Sequence, residues 1–171
     1  DPKELYNHLD LYSRFGKPLQ ITEVTVPAYS WEAKDENIQA DIIENLYTLW
    51  FSHPNVEQIV YWNVVDGYAH LWVSDPEQIK ASQGNMTIGE NYYHGGLLRY
   101  DLSPKPAFFR LQELIHKKWH TEGEFITDEL GNIAFRGFYG EYEIEIVRDD
   151  KTYSKTINLQ SNSDNKVTII I

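Results

Sequence analysis

The sequence of 171 residues contains no cysteine, and this absence excludes several chemistries at once. Without thiols the chain forms no disulfide, binds no metal through thiolates and has no cysteine nucleophile. Basic residues are scarce as well: 15 Lys and Arg stand against 26 Asp and Glu, for a formal net charge of -11. Nucleic acids and anionic membrane surfaces require a basic face, so we expect neither as a partner.

Long apolar runs are also lacking. No stretch approaches the roughly 20 residues that a membrane-spanning helix needs, and no signal-peptide pattern is visible. The chain begins with Asp1-Pro2-Lys3 and not with Met. We therefore expect it to be part of a longer protein, in which an export signal could lie outside the present sequence.

Aromatic residues are plentiful. They make up 14% of the chain, with 12 Tyr and 5 Trp, and many fall in segments that are typical of loops. Exposed aromatic rings suit sugar-binding clefts, because the faces of pyranose rings are apolar. For most of these rings, however, packing in the core is the favoured interpretation.

The first two thirds of the chain alternate between helical and strand-like patterns. This order is typical of an α/β protein with a parallel sheet. The apolar run at 59–62 fits a parallel strand covered by helices. Residues 64–97 form a loop longer than the connection requires, which favours a functional role. The predicted elements are helices at 1–15, 35–52 and 107–119 and strands at 19–26 and 56–63.

After Thr121 the composition changes to short, β-rich segments. Turn-forming sequences at 128–132 and 148–151 separate them, as in β-hairpins. The fold class expected for the whole chain is therefore α/β followed by all-β, with domains at 1–121 and 122–171. The predicted C-terminal strands are 125–127, 133–135, 142–147, 152–157 and 167–171.

Glu23 is the most conspicuous candidate for chemistry. It lies near the C-terminal end of a strand that is expected to be buried, where a carboxylate costs several kcal/mol unless it has a partner. Reactive residues of parallel α/β folds gather at such strand ends. A carboxylate there, beside the Trp62 loop, suits glycoside hydrolysis. The alternative is that Glu23 is an ion-pair or capping residue, which is the commoner role.

Four segments come in an order and at a spacing that resemble the C-terminal part of family 10 glycoside hydrolases, the retaining endo-β-1,4-xylanases. The resemblance covers about residues 1–120 and implies the last strands and helices of a (β/α)8 TIM barrel. The segments are Ile21-Thr22-Glu23, Tyr61-Trp62-Asn63-Val64-Val65-Asp66-Gly67-Tyr68, Gly95-Gly96-Leu97-Leu98 and Lys105-Pro106-Ala107 with the helix that follows to Trp119.

The resemblance assigns roles to individual residues. It makes Glu23 the catalytic nucleophile and Trp62 the tryptophan beneath the sugar at the point of cleavage. Trp72 resembles the second cleft tryptophan, although His70 stands where that residue usually lies. His70 and Tyr68 are further substrate-binding candidates in the same loop. We interpret Asp66 as a residue that orders this loop or supports the residues that contact the sugar, and not as a substitute for a second catalytic carboxylate.

The chain also departs from the family pattern. Glu23-Val24-Thr25 replaces the usual Glu-Leu-Asp, Trp62-Asn63 replaces Trp-Gly, and residues 84–93 form an insertion. The acid/base glutamate of the family lies on the fourth barrel strand, which has no counterpart here. Retaining hydrolysis requires two carboxyl groups about 5–5.5 Å apart, so we expect the isolated chain to be inactive.

The resemblance implies xylan or xylo-oligosaccharides as partners, no cofactor, and a secreted or cell-surface protein. The six His are scattered along the sequence, so we expect no metal site. Two barrel strands cannot close a barrel, so we expect the remaining barrel part as a second partner, or self-association. The alternative is a non-catalytic carbohydrate-binding or structural module.

The C-terminal domain resembles the transthyretin-like and carboxypeptidase-regulatory-like domains. The hairpin at 128–142 carries this resemblance, which implies a small antiparallel β-sandwich. Such domains are mostly structural. Phe138, Tyr139 and Tyr142 leave a carbohydrate-binding role open.

Overall fold

The computed structural model describes residues 1–83, 85–161 and 163–171. Gly84, the first residue of the predicted insertion, lies outside these ranges. The chain divides into two compact units, Asp1–Ile115 and His116–Ile171.

Unit 1 follows the predicted alternation of helices and strands. The side chain of Asp1 accepts the backbone N–H of Lys3 at 2.9 Å and caps the first helix. Gly16, at a left-handed φ of 65°, follows the end of that helix. The elements are α1 (Pro2–Ser13), β1 (Leu19–Val24), α2 (Ala33–Ser52), β2 (Val56–Tyr61), α3 (Pro76–Lys80), a 3-10 turn (Met86–Ile88) and α4 (Pro106–Glu113). A π-helical turn (Leu114–Lys118) follows α4 and continues into unit 2.

Strands β1 and β2 pair in parallel, with α2 as the connection between them. This arrangement confirms the predicted α/β pattern for this part of the chain. The pairing is irregular at two places, after Leu19 and after Ile21, and the second irregularity falls at the segment that carries Glu23.

The core of unit 1 lies along α2. Ala40 and Ile43 are completely buried, and Ala107 of α4 is buried as completely. The Arg110 guanidinium on α4 pairs with the carboxylates of Glu44 and Asp41 on α2. Apolar packing and ion pairs therefore hold α4 against α2. They also fix the end of the segment that connects the strand ends to α4.

The long segment at 64–97 is less irregular than predicted. It contains α3, which Asp75 caps by accepting the N–H of Glu77 at 3.0 Å, and the 3-10 turn, which Asn85 caps in the same way. In this segment, side chains two residues away accept backbone N–H groups at the starts of the helical turns.

Unit 2 contains one antiparallel hairpin, β3 (Gly140–Arg148) and β4 (Lys151–Leu159). It confirms the strands predicted at 142–147 and 152–157. Asp149 and Asp150, with φ of 49° and 57°, form the two-residue turn predicted between them. Such a pair of left-handed residues is typical of a type I′ turn. The turn predicted at 128–132 is also present, since Asp128 N–H donates to the carbonyl of Asn132 at 2.9 Å.

The predicted β-sandwich is wrong for the described part of unit 2. The segments at 125–127, 133–135 and 167–171 form no strand there, which leaves a single two-stranded sheet. A strand needs a neighbouring backbone to pair with and a surface to cover its apolar side. Ile126 and Ile170 are more than nine-tenths exposed, so neither requirement is met.

Within the described ranges, none of the helices has both the length and the apolar character to cross a membrane.

Candidate active site at the strand ends

Glu23 lies on a β-bulge at the C-terminal end of β1. Ile21 pairs with Ile59 and Val24 with Tyr61, so β1 has one residue more than β2 between these pairs. Glu23 itself adopts a left-handed φ of 58°. For a residue with a side chain this conformation costs roughly 1–2 kcal/mol. Bulges and left-handed residues of this kind concentrate next to active sites, where they redirect a side chain.

The expected burial of Glu23 is wrong. Its side chain is exposed, on an edge strand of a two-stranded sheet. In the described part of the chain no hydrogen bond or ion pair involves its carboxylate. The alternative role as an ion-pair or capping residue therefore has no partner in this structure.

Trp62 directly follows β2 and lies beside the bulge. Its backbone N–H donates to the carbonyl of Val24 at 2.9 Å, so the two strand ends are tied together next to Glu23. Trp62 is 43% exposed, and its indole Nε1 donates to Oε2 of Glu90 at 3.0 Å. The structure therefore places a partly exposed tryptophan and an exposed carboxylate on neighbouring strand ends.

His70 is joined to Trp62 through the same glutamate. The second carboxylate oxygen of Glu90 lies 3.0 Å from His70 Nδ1. Asn91 Oδ1 accepts the backbone N–H groups of His70 and Leu71, both at 3.1 Å. Glu90 and Asn91 were not predicted as site residues. Their only sequence signal is a pair of polar residues ahead of Tyr92-Tyr93 in a loop.

Tyr68 and Trp72 form a second aromatic group. Their ring centroids are 6.4 Å apart, and the two residues form an antiparallel bridge. Tyr100 stacks against Tyr68 at 5.7 Å and donates its hydroxyl to the carbonyl of Val73 at 2.7 Å. Trp72 is 61% exposed, so this group also presents an aromatic face to solvent.

Asp66 has the loop-ordering role that the sequence predicts. Its Oδ1 accepts the N–H of Gly96 at 2.7 Å, and its Oδ2 accepts Trp31 Nε1 at 2.7 Å. Lys105 Nζ lies 2.8 Å from Oδ2, and both charged side chains are completely buried. This ion pair fastens the loop after β2 to the segment that precedes α4.

The Gly95-Gly96 pair allows the chain to pass close to the strand ends. A Cβ at Gly96 would lie 2.5 Å from the backbone nitrogen of Asp66, and one at Gly95 would lie 2.6 Å from the side chain of Thr25. The hydroxyl of Tyr61 donates to the carbonyl of Gly95 at 2.7 Å. Burial raises the pKa of Tyr61, so that hydroxyl stays a donor.

His94 is completely buried next to this network. Its ring lies 4.8 Å from that of Trp31, and neither ring nitrogen makes a hydrogen bond of good geometry. Burial lowers the pKa of His94 below its usual 6.5, and the nearby Lys105 charge lowers it further, while Asp66 and Glu36 oppose the change. Burial thus favours the neutral imidazole.

Among the residues that the structure describes, no group of three or more His, Asp or Glu side chains is placed to hold a metal ion.

No protein-family model matches the chain. Individual curated proteins are nevertheless similar to the chain. The chain is 33% identical over 156 residues to the anti-sigma-I factor RsgI6 of Acetivibrio thermocellus, covering 91% of this chain and 17% of that protein. It is 26% identical over 145 residues to endo-1,4-beta-xylanase 2 of Arabidopsis thaliana, covering 85% of this chain and 11% of the enzyme. The chain thus spans less than a fifth of the length of these relatives.

Solved structures with a similar fold include two bacterial xylanases. Xylanase 10B from Thermotoga petrophila RKU-1, in complex with xylobiose, matches with a TM-score of 0.52 and 22% identity over 69% of this chain and 32% of that one. Native xylanase 10B from Thermotoga maritima matches with a TM-score of 0.52 and 20% identity, over 69% of this chain and 33% of that one. These neighbours are TIM barrels, and the α/β part of the chain is consistent with a portion of such a barrel.

Proposed function

We propose that this chain supplies the last strands and helices of a retaining endo-β-1,4-xylanase and that Glu23 is the nucleophile. The observation that carries the proposal is the bulge at the end of β1, which presents an unpaired carboxylate in a strained left-handed position beside the open indole of Trp62. The likeness to endo-1,4-beta-xylanases supports it, as does a fold neighbour with xylobiose bound.

In the proposed reaction a Glu23 carboxylate oxygen attacks the anomeric carbon of a xylosyl unit. The bond from that carbon to the glycosidic oxygen breaks, and the leaving oxygen takes a proton from a carboxylic acid outside this chain. Water then attacks the resulting glycosyl ester and gives its proton to the same outer carboxylate, which frees Glu23. Trp62 would stack on the sugar ring during both steps.

Because the acid/base residue lies outside this chain, the proposal also requires the rest of the barrel. General acid assistance is typically worth about 10²–10⁴-fold in rate, so residues 1–171 alone would show no useful turnover on xylan. The missing strands would come from the longer natural polypeptide, from another chain or through self-association. Because xylan lies outside cells, a secreted or cell-surface location belongs to the same proposal.

The experiment replaces Glu23 by Ala in the longest natural polypeptide that contains this chain. Hydrolysis of an aryl xylobioside should fall by several orders of magnitude. Azide should restore turnover and give the α-xylobiosyl azide, because a small anion then attacks where the carboxylate did. Glu57→Ala, which removes an exposed carboxylate from β2, is the matched control and should retain activity. Full activity of Glu23→Ala would overturn the assignment.

A non-catalytic role in carbohydrate binding is the second candidate. One observation favours it: the relative with 33% identity is named as an anti-sigma-I factor and not as a hydrolase. Calorimetric titration of xylotetraose into the chain separates the candidates when the two units are altered in turn. Binding that survives Trp62→Ala but is lost in Tyr139→Ala would assign recognition to unit 2 and favour this alternative.

A further inference from the structure

Glu90 divides its carboxylate between two of the predicted substrate-binding residues. Oε2 accepts the indole N–H of Trp62 at 3.0 Å, and Oε1 lies 3.0 Å from Nδ1 of His70. The side chain of Glu90 is about one-third exposed, with a relative accessibility of 34%, and that of His70 is 58% accessible. The contact is therefore partly shielded on the glutamate side and open on the histidine side.

The positions of the protons in this cluster follow from the distances. Nδ1 of His70 lies 3.0 Å from Glu90 Oε1 but 3.4 Å from the amide nitrogen of Asn91. A carboxylate oxygen only accepts, so the shorter contact requires a proton on Nδ1. Glu90 consequently accepts two N–H donors, one on each oxygen, and a charged acceptor makes both bonds stronger than neutral ones.

The backbone around Glu90 is fixed to the strand ends as well. The side-chain amide of Asn63, the residue after Trp62, donates to the backbone carbonyl of Glu90 at 3.4 Å. Asn91 Oδ1 accepts both N–H groups at 70 and 71. The carboxylate thus has a defined position relative to the end of β2, and it belongs to the segment in which this chain departs from the xylanase pattern.

We propose that Glu90 is a positioning residue: held by His70, its carboxylate fixes the plane of the Trp62 indole so that the open ring face is ready to stack on a sugar. The inference rests on the proposed sugar-binding role of Trp62. It assigns a role to the insertion at 84–93. It also makes His70 a residue that holds Glu90 in place and not a direct sugar ligand.

The expected size of the effect follows from side-chain ordering. A freed indole must be immobilised again when a sugar binds, and ordering one side chain weakens binding by about threefold to tenfold. Loss of Glu90 should therefore weaken xylo-oligosaccharide binding by about that factor. Loss of Trp62 itself should abolish binding.

The first measurement follows the indole N–H resonances of the ¹⁵N-labelled chain. The five tryptophans give one signal each, and Trp62→Phe identifies the signal of Trp62. Glu90→Ala should shift that signal upfield and leave the other four in place. Glu90→Gln keeps an oxygen acceptor, so the Trp62 signal should return most of the way to its original position, which a merely structural role would not predict. Glu77→Ala, an exposed glutamate of α3, is the control and should move none of them.

The second measurement is calorimetric titration of xylotetraose into the same variants, in the longest natural polypeptide if the isolated chain does not bind. A threefold to tenfold weakening for Glu90→Ala, with recovery in Glu90→Gln, supports the inference. An unmoved Trp62 signal, or a moved signal with unchanged affinity, overturns it. If no form binds the sugar, the proposed function fails instead, and the indole signals still decide whether Glu90 holds Trp62.

Discussion

Asp66 and Lys105 form an ion pair from which solvent is fully excluded. Removing two charges from water is expensive, and the pair is stable here because Gly96, Trp31 and the carbonyl of His94 complete its hydrogen bonds. The fold therefore depends on both partners being present together.

Replacing Lys105 by Met should destabilise the chain by about 3–5 kcal/mol, because Asp66 is left as a buried, uncompensated charge. Urea denaturation followed by circular dichroism measures the change. The double variant Lys105→Met with Asp66→Asn should recover a large part of it. Lys80→Met, at an exposed pair with Glu77, is the control and should change stability by less than about 0.5 kcal/mol. An equal loss in the double variant would contradict the argument.

His94 should make stability depend on pH. Burial lowers its folded pKa below 6.5, so the unfolded chain binds more protons than the folded one in the window beneath that value. The contribution is therefore fully present above pH 6.5 and is lost as the pH falls through the folded pKa. Thermal melts between pH 7.5 and 5.5 should show a decline that His94→Phe reduces. His8→Phe, on the exposed face of α1, should leave the decline unchanged.

At the level of single residues, the sequence predicted that Glu23 and Trp62 lie at strand ends, and the structure confirms those positions. It also predicted that Asp66 orders the loop after β2, which agrees with the contacts of that carboxylate. Glu90 was missed because its hydrogen bond to Trp62 joins positions 28 residues apart. The pairing of Lys105 with Asp66 was missed for the same reason, because the two residues are 39 positions apart. Local patterns carry no information on such pairings.

The β3–β4 hairpin turns through two aspartates in the left-handed region. Glycine is favoured at the second position of such a turn, since it has no Cβ to clash there. Asp150→Gly should therefore stabilise the hairpin by about 0.5–1 kcal/mol, measured as a higher melting temperature. Asp150→Val, which places a β-branched residue at the same φ, should have the opposite effect. A lower melting temperature for the glycine variant would count against this turn.

Elements were predictable to different degrees. α1, α2, α4, β1 and β2 were found near their observed positions because their apolar residues recur with a clear period. α3 and the 3-10 turn were missed, because they are short and lie in the segment predicted as a loop. The segments at 125–127, 133–135 and 167–171 have strand-like composition but form no strand in the described chain. Strand formation depends on a partner from elsewhere in the sequence, and composition alone does not supply one.

Unit 1 exposes a strand edge and a group of apolar side chains. Strand β1 has an unpaired edge in the two-stranded sheet, and Leu11 and Tyr12 of α1 and Phe15 after it are about half exposed or more. Open strand edges and contiguous apolar patches favour association.

We expect light scattering to give a mass above the 20.0 kDa of one chain. Replacing Leu11, Tyr12 and Phe15 by Ser should shift the distribution towards monomer, because the apolar area available for burial falls. Three serine substitutions at the exposed residues Lys34, Lys117 and Lys155 provide the control. A monomer with one sharp melting transition in the unaltered chain would contradict the expectation.

The left-handed position of Glu23 also sets stability against function. Glycine occupies φ near 58° without steric cost, whereas glutamate does not. Glu23→Gly should therefore raise the free energy of unfolding by about 0.5–1 kcal/mol, whereas Glu23→Gln should leave it nearly unchanged. Both variants would lack the proposed nucleophile. Stability alone favours glycine at position 23, so the strain at Glu23 is what the proposed catalytic role would require.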